Sequence, residues 1–81
     1  MDYNNNLGQY IAEVIRSNRK GKELTQTDLA EMIGTKQPSI ARLESGNILP
    51  SLGFLKKVSD SLGIEIDISL QDKSKINASV V

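Results

Sequence analysis

Cysteine, histidine and tryptophan are absent from these 81 residues, and one phenylalanine and two tyrosines are the only aromatic rings. Without cysteine or histidine there are no disulfide staples, thiolate nucleophiles, imidazole bases or usual zinc ligands. Catalysis would have to use a carboxylate pair or a Ser–Lys arrangement, and no spacing in the chain suggests either. A chain of this length is also near the lower limit for a single core, which leaves little room for a substrate cavity. The expectation is therefore a protein that is not an enzyme, with no catalytic residue, metal or cofactor. No apolar run is long enough to span a bilayer. The opening MDYNNNLGQY has neither the basic nor the apolar region of a signal peptide, so a soluble, cytoplasmic protein is expected.

Excess charge is missing too, because ten basic residues balance ten acidic ones. Overall neutrality gives no hint of a polyanionic partner, but the distribution is uneven. Arg16, Arg19, Lys20 and Lys22 cluster early, and Lys36, Arg42, Lys56 and Lys57 follow in the middle. Asp60, Glu65, Asp67 and Asp72 gather toward the C-terminus. A neutral chain can still turn one positive face toward phosphates.

Apolar periodicity organises what is present. Residues 1–6 are polar and expected to fray. Leu7, Ile11, Val14 and Ile15 form a helical stripe that carries to about Arg19 and stops near Gly21. Thr25 can cap a second helix, with Asp28 three residues on completing a capping box. Thr35 is the expected cap of a third helix that runs to about Ser45, with Pro38 in its first turn and Gly46 just past its end. Ser51 caps a fourth, whose buried stripe is Leu55, Val58 and Leu62 and which Gly63 closes. The period then changes to two: Ile64, Ile66, Ile68 and Leu70 alternate with Glu65, Asp67 and Ser69. A strand over residues 64–70 needs a partner, and the chain supplies no second strand. The same strand of another copy is the simplest one, and an extended segment packed on its own domain or a short fifth helix are the alternatives. Residues 71–81 read as a polar, flexible tail, with a partner-binding segment that orders on contact as the alternative.

The most informative stretch is QTDLAEMIGTKQPSIARL, residues 26–43. Leu29 and Ile33 are apolar at i, i+4 in one helix, and Ile40 and Leu43 at i, i+3 in the next. Ala30 is small where two helices would cross, and Gly34 falls where the turn needs a backbone without Cβ. Fixed separations of small, glycine and apolar positions lay out a helix-turn-helix, which points to a DNA partner. With Ile40 and Leu43 inward, Lys36, Gln37, Ser39 and Arg42 project from the opposite side. Gln matches adenine N6 and N7, and Arg or Lys matches guanine O6 and N7. Gln26 and Thr27 open the second helix, where free N–H groups and the positive dipole end suit a phosphate, and Asn47 follows the third helix as a further phosphate contact.

The run LTQTDLAEMIGTKQPSIARLESG resembles the Cro/cI-type (XRE) helix-turn-helix family, over about residues 7–63. The resemblance implies an all-α, lambda-repressor-like bundle of four to five helices. It implies base contacts from Lys36, Gln37 and Arg42, a phosphate contact from Gln26, and an internal salt bridge between Arg19 and Glu44; Thr27, Ser39 and Asn47 are the further phosphate contacts expected from their positions. Two departures stand out: Glu23 takes the place where the family usually has glycine, and Pro38 replaces a frequent polar reader. The extension LGIEIDISL is similar to that of small antitoxins of the HigA and HipB kind, which repress their own operon and neutralise a toxin. The expected partners are then a palindromic duplex operator, a second copy paired through Ile64, Ile66, Ile68 and Leu70, and a cognate toxin. A stand-alone phage or chromosomal regulator is the alternative.

Overall fold

Each apolar stripe becomes the buried side of a helix. The structure, a computed structural model, describes residues 3–67, with side chains from residue 7 onward. Its four helices are α1 (Tyr3–Gly21), α2 (Gln26–Ile33), α3 (Gln37–Ser45) and α4 (Leu52–Leu62). Ile15, Leu29, Ala30, Ile40, Leu43, Leu55, Val58 and Leu62 form one buried cluster. Around it pack the partly buried Ile11, Leu24, Ile33, Phe54, Ile64 and Ile66. Helices α2 and α3 have only 8 and 9 residues. Isolated helices shorter than about 12–15 residues are marginal in water, so this packing is what holds them. Each fully buried Leu or Ile contributes roughly 1.5–3 kcal/mol.

Three turns are built alike. At the end of α2 the Thr35 N–H donates to Ala30 O (2.9 Å) and the Gly34 N–H to Glu31 O (3.2 Å). At the end of α4, Ile64 donates to Ser59 O (2.8 Å) and Gly63 to Asp60 O (3.2 Å). After α1, Leu24 donates to Arg19 O (3.1 Å) and Glu23 to Lys20 O (2.9 Å). All three are Schellman motifs, which place one residue in the left-handed region. Gly34 and Gly63 do so at φ 74° and 68°, whereas Glu23 does so at φ 59° with a full side chain. Glutamate in the glycine position of the first loop therefore leaves the shape of the turn intact and adds a cost of roughly 1–2 kcal/mol.

Two boundaries differ from the sequence expectation. The first helix begins at Tyr3, not at Leu7. An apolar stripe marks only the buried part of a helix, and once nucleated the helix propagates cheaply through polar residues. The cap of α3 is Lys36, in extended conformation and without a side-chain cap bond, rather than Thr35. The Thr35 N–H already closes α2, so the short turn commits that residue to the end of one helix and not the start of the next. Thr25 and Ser51 do cap α2 and α4, and Thr25 and Asp28 form the full capping box.

Gly8 is buried in α1 for a different reason. A Cβ there would lie 2.8 Å from Gly46 O and 2.9 Å from Ile48 O, so only glycine lets α1 lie against the loop after α3.

Residues 64–67 carry neither helix nor strand. Ile64 and Ile66 pack against the core while Glu65 and Asp67 are exposed, so the period of two appears in side-chain directions without a paired strand among the described residues. Ile68, Leu70 and the tail expected over 71–81 lie outside the described residues, as do Met1 and Asp2.

Candidate nucleic-acid interface

Gln26 and Gln37 are the first residues of α2 and α3, and the Gly34 turn brings these two starts together. The Gln37 Nε2 donates to Gln26 Oε1 at 2.7 Å, and Gln26 Nε2 donates in turn to Glu44 Oε1 at 3.1 Å. Glu44 lies in the last turn of α3, facing α1. There the Arg19 guanidinium grips it with two bonds, Nε to Oε2 at 2.7 Å and Nη2 to Oε1 at 2.9 Å. Arg19 Nη1 also donates to Leu24 O (2.7 Å), and Arg16 Nη1 to Glu44 O (3.1 Å). A continuous polar seam thus runs from α1 through the end of α3 to the exposed starts of α2 and α3.

Burial decides what the seam does. The Arg19 and Glu44 side chains are only 9% and 3% exposed. Among the described residues every buried side-chain polar atom has a hydrogen-bond partner. Burial alone would push the Glu44 carboxyl up. The hydrogen bonds from Arg19 and Gln26 and the charges of Arg19 and Arg16 outweigh it and hold the carboxyl below its ordinary value. The bond to Glu44 likewise raises the pKa of Arg19 despite burial. An acid that would repel phosphates from the end of α3 is buried, ionised and neutralised.

Around the seam, Lys36, Gln37 and Arg42 are exposed on α3 and its approach, and Ser39 is half-buried. Ser39 and Arg42, three residues apart, share one face and line a shallow groove with Ile48, Leu49 and Phe54. Pro38 occupies the first turn of α3, where a missing N–H costs no helix bond. Thr27 and Asn47 are exposed, and the Asn47 N–H donates to Ser45 Oγ at 3.2 Å. In α2 the capping box engages the Asp28 N–H, bonded to Thr25 Oγ1 at 2.9 Å. The N–H groups of Gln26 and Thr27 remain as first-turn donors. The Asp28 carboxylate folds back onto the Thr25 N–H (2.8 Å), and that bond holds its pKa below the ordinary value.

The seam joins four of the residues singled out in the sequence, Arg19, Glu44, Gln26 and Gln37, and leaves Lys36, Arg42, Thr27 and Asn47 outside it. The Gln26–Gln37 bond, and the bond from Arg16 to the Glu44 carbonyl, were missed by sequence reasoning. A usable signal existed for Arg16, since it stands three residues before Arg19 on the same helix face. Among the described residues no cluster of acidic side chains could hold a metal ion, and no helix is long and apolar enough to cross a membrane.

A helix-turn-helix family profile matches residues 15–69, more than half of the chain. The chain belongs to the helix-turn-helix family of Cro/cI (XRE) type. Relatives include the cryptic phage CTXphi transcriptional repressor RstR of Vibrio cholerae, 39% identical over 57 residues, which span 70% of this chain and 51% of the repressor. An uncharacterized HTH-type transcriptional regulator of Methanothermobacter thermautotrophicus is 40% identical over 52 residues, 64% of this chain and 75% of that protein. Human endothelial differentiation-related factor 1 is 38% identical over 56 residues, and there the chain spans only 38% of the relative's length.

Proposed function

We propose that this chain is a cytoplasmic, sequence-specific DNA-binding transcriptional regulator without enzymatic activity, acting as a repressor. The observation that carries the reading is the pairing of Gln26 with Gln37 at the adjoining starts of α2 and α3, beside exposed Lys36 and Arg42. In this arrangement α3 enters the major groove, its first residues reading base edges, while the start of α2 rests on the backbone. Lys36, Gln37 and Arg42 contact bases, and Gln26, Thr27, Ser39 and Asn47 contact phosphates. The names of the Vibrio and archaeal relatives, a transcriptional repressor and a transcriptional regulator, point the same way.

One copy reads a half-site, so the acting unit is a homodimer on a palindromic operator with half-sites about 34–36 Å apart. Residues 64–70 are its proposed pairing segment, and the exposed Leu52, which shares a groove with Ile64 and Ile66, adds apolar surface beside it. The antitoxin reading, with operon autoregulation and a bound toxin, rests on LGIEIDISL alone. The relatives' names favour the stand-alone regulator.

Binding to the protein's own upstream region, measured against random duplex across a salt series, tests the reading. Arg42→Ala should relax preference at one base position, whereas Thr27→Ala, at a phosphate contact outside the seam, should weaken all sites nearly uniformly. Equal affinity of the wild type for upstream and random duplex would refute a sequence-specific regulator. Truncation after Asp67, which keeps Ile64 and Ile66 on the core, should give a folded monomer by light scattering. A truncated protein that remains dimeric would place the interface elsewhere.

A further inference from the structure

Hydrogen bonds between amides have a direction, and here one group sets it. An ionised carboxylate only accepts, and Glu44 already accepts two bonds from Arg19. Gln26 can therefore meet Glu44 only with its NH2 group, as it does at 3.1 Å, which turns its oxygen toward Gln37. That oxygen can only accept, so Gln37 must meet it with an N–H, at 2.7 Å. Of the Gln37 side chain, this leaves the carbonyl oxygen and one N–H to face a partner. Those two groups are the complement of adenine, whose N6 donates and N7 accepts. The reverse polarity would leave Gln37 presenting its two N–H groups, the complement of guanine, where O6 and N7 both accept.

We propose that Glu44 is a positioning residue which, through Gln26, fixes the amide orientation of Gln37 and so makes it select adenine over guanine at one base pair. The inference rests on the DNA-reading proposal above and deepens it. It concerns a single base position, because Lys36 and Arg42 lie outside the seam. Glu44 stays ionised at neutral pH, so the orientation is permanent under ordinary conditions.

Selection of the full chain against a randomised duplex pool, with Gln37→Ala, first locates the base pair that Gln37 reads. Duplexes differing only there, as A·T or G·C, are then compared for wild type, Glu44→Gln and Gln26→Leu. A bidentate contact discriminates by roughly tenfold or more. Glu44→Gln, whose neutral amide permits either polarity, should lower the adenine preference about several-fold. Gln26→Leu, which leaves the Arg19–Glu44 pair untouched and decides the matter should Glu44→Gln not fold, should bring it close to parity. Preferences at the other base pairs should stay as in the wild type, which a merely weakened fold would not produce. If Gln37→Ala relaxes one base pair but neither other variant changes preference there, the relay is wrong while base reading stands. If Gln37→Ala relaxes no position, base reading by Gln37 fails and the relay fails with it.

Discussion

Among the described residues, two acid–base pairs of similar length lie in very different surroundings. Arg19 and Glu44 meet at 2.7 Å with side chains 9% and 3% exposed, while Lys56 and Asp60 meet at 3.0 Å with side chains 72% and 64% exposed. Distance does not separate them, but solvent and connectivity do. The exposed pair links one turn of α4 to the next, and water can replace either partner. The buried pair links α1 to α3 across 25 residues of chain, and its bonds continue to Leu24, Gln26 and Gln37. Removing one member of the buried pair strands a charge in a place water cannot reach.

The largest effect should follow from doing so. Glu44→Ala leaves Arg19 buried and unpaired, at a cost of roughly 3–5 kcal/mol. In a domain of this size each kcal/mol shifts Tm by about 4–8 °C, so thermal unfolding followed by circular dichroism should show the variant partly or wholly unfolded at ambient temperature. A Tm close to that of the wild type would mean that the pair contributes no more than the one on α4.

Acid should separate the two pairs by the same mechanism. Because folding lowers the Glu44 carboxyl, its contribution is complete above the ordinary value of 4.5 and is lost as pH falls through the lower folded-state value. Chemical denaturation from pH 7 downward should show stability falling in that range, and Asp60→Asn should leave the fall in place. A fall removed by Asp60→Asn would assign it to the surface pair.

A smaller change sharpens the comparison from the turn that the buried pair supports. Arg19 holds Leu24 O, just after Glu23 in its left-handed conformation. Glu23→Gly removes the side-chain penalty and should stabilise by about 1 kcal/mol in denaturant titrations, less the added freedom of glycine in the unfolded chain. Loss of stability would instead show that the Glu23 side chain contributes more than its strain costs. The smallest effect belongs to the surface pair: Lys56→Ala or Asp60→Ala should cost roughly 0.3–0.5 kcal/mol, shrinking further in high salt.

The same contrast explains which parts of the fold could be read from sequence. Leu29, Ala30, Ile40, Leu43, Leu55, Val58 and Leu62 announce themselves by helical spacing, because burial of one face is what makes these short helices stable. Thr25, Ser51, Gly34 and Gly63 announce the boundaries, because cap chemistry is local. Lys36 as the cap of α3 was not legible, since one threonine serves the end of α2 and the sequence does not say which helix claims it. Gly8 was opaque for another reason. A glycine within a helical pattern reads as a weak point, and only the approach of Gly46 and Ile48 reveals it as a packing requirement. In the candidate site, the residue types at Gln26, Gln37 and Arg42 can be chosen from the motif. The bond between Gln26 and Gln37 depends on how closely the two helix starts are set, which no spacing rule supplies.

The central claim is that the starts of α2 and α3, braced from behind by Arg19 and Glu44, read base sequence in duplex DNA. Enrichment from a randomised duplex pool by wild type and Gln37→Ala, at the same salt, tests it most directly. The account predicts a defined motif for the wild type, made of two half-sites about one turn apart, and loss of preference at symmetry-related positions for the variant. A pool that emerges from the wild type as random as it entered would contradict it.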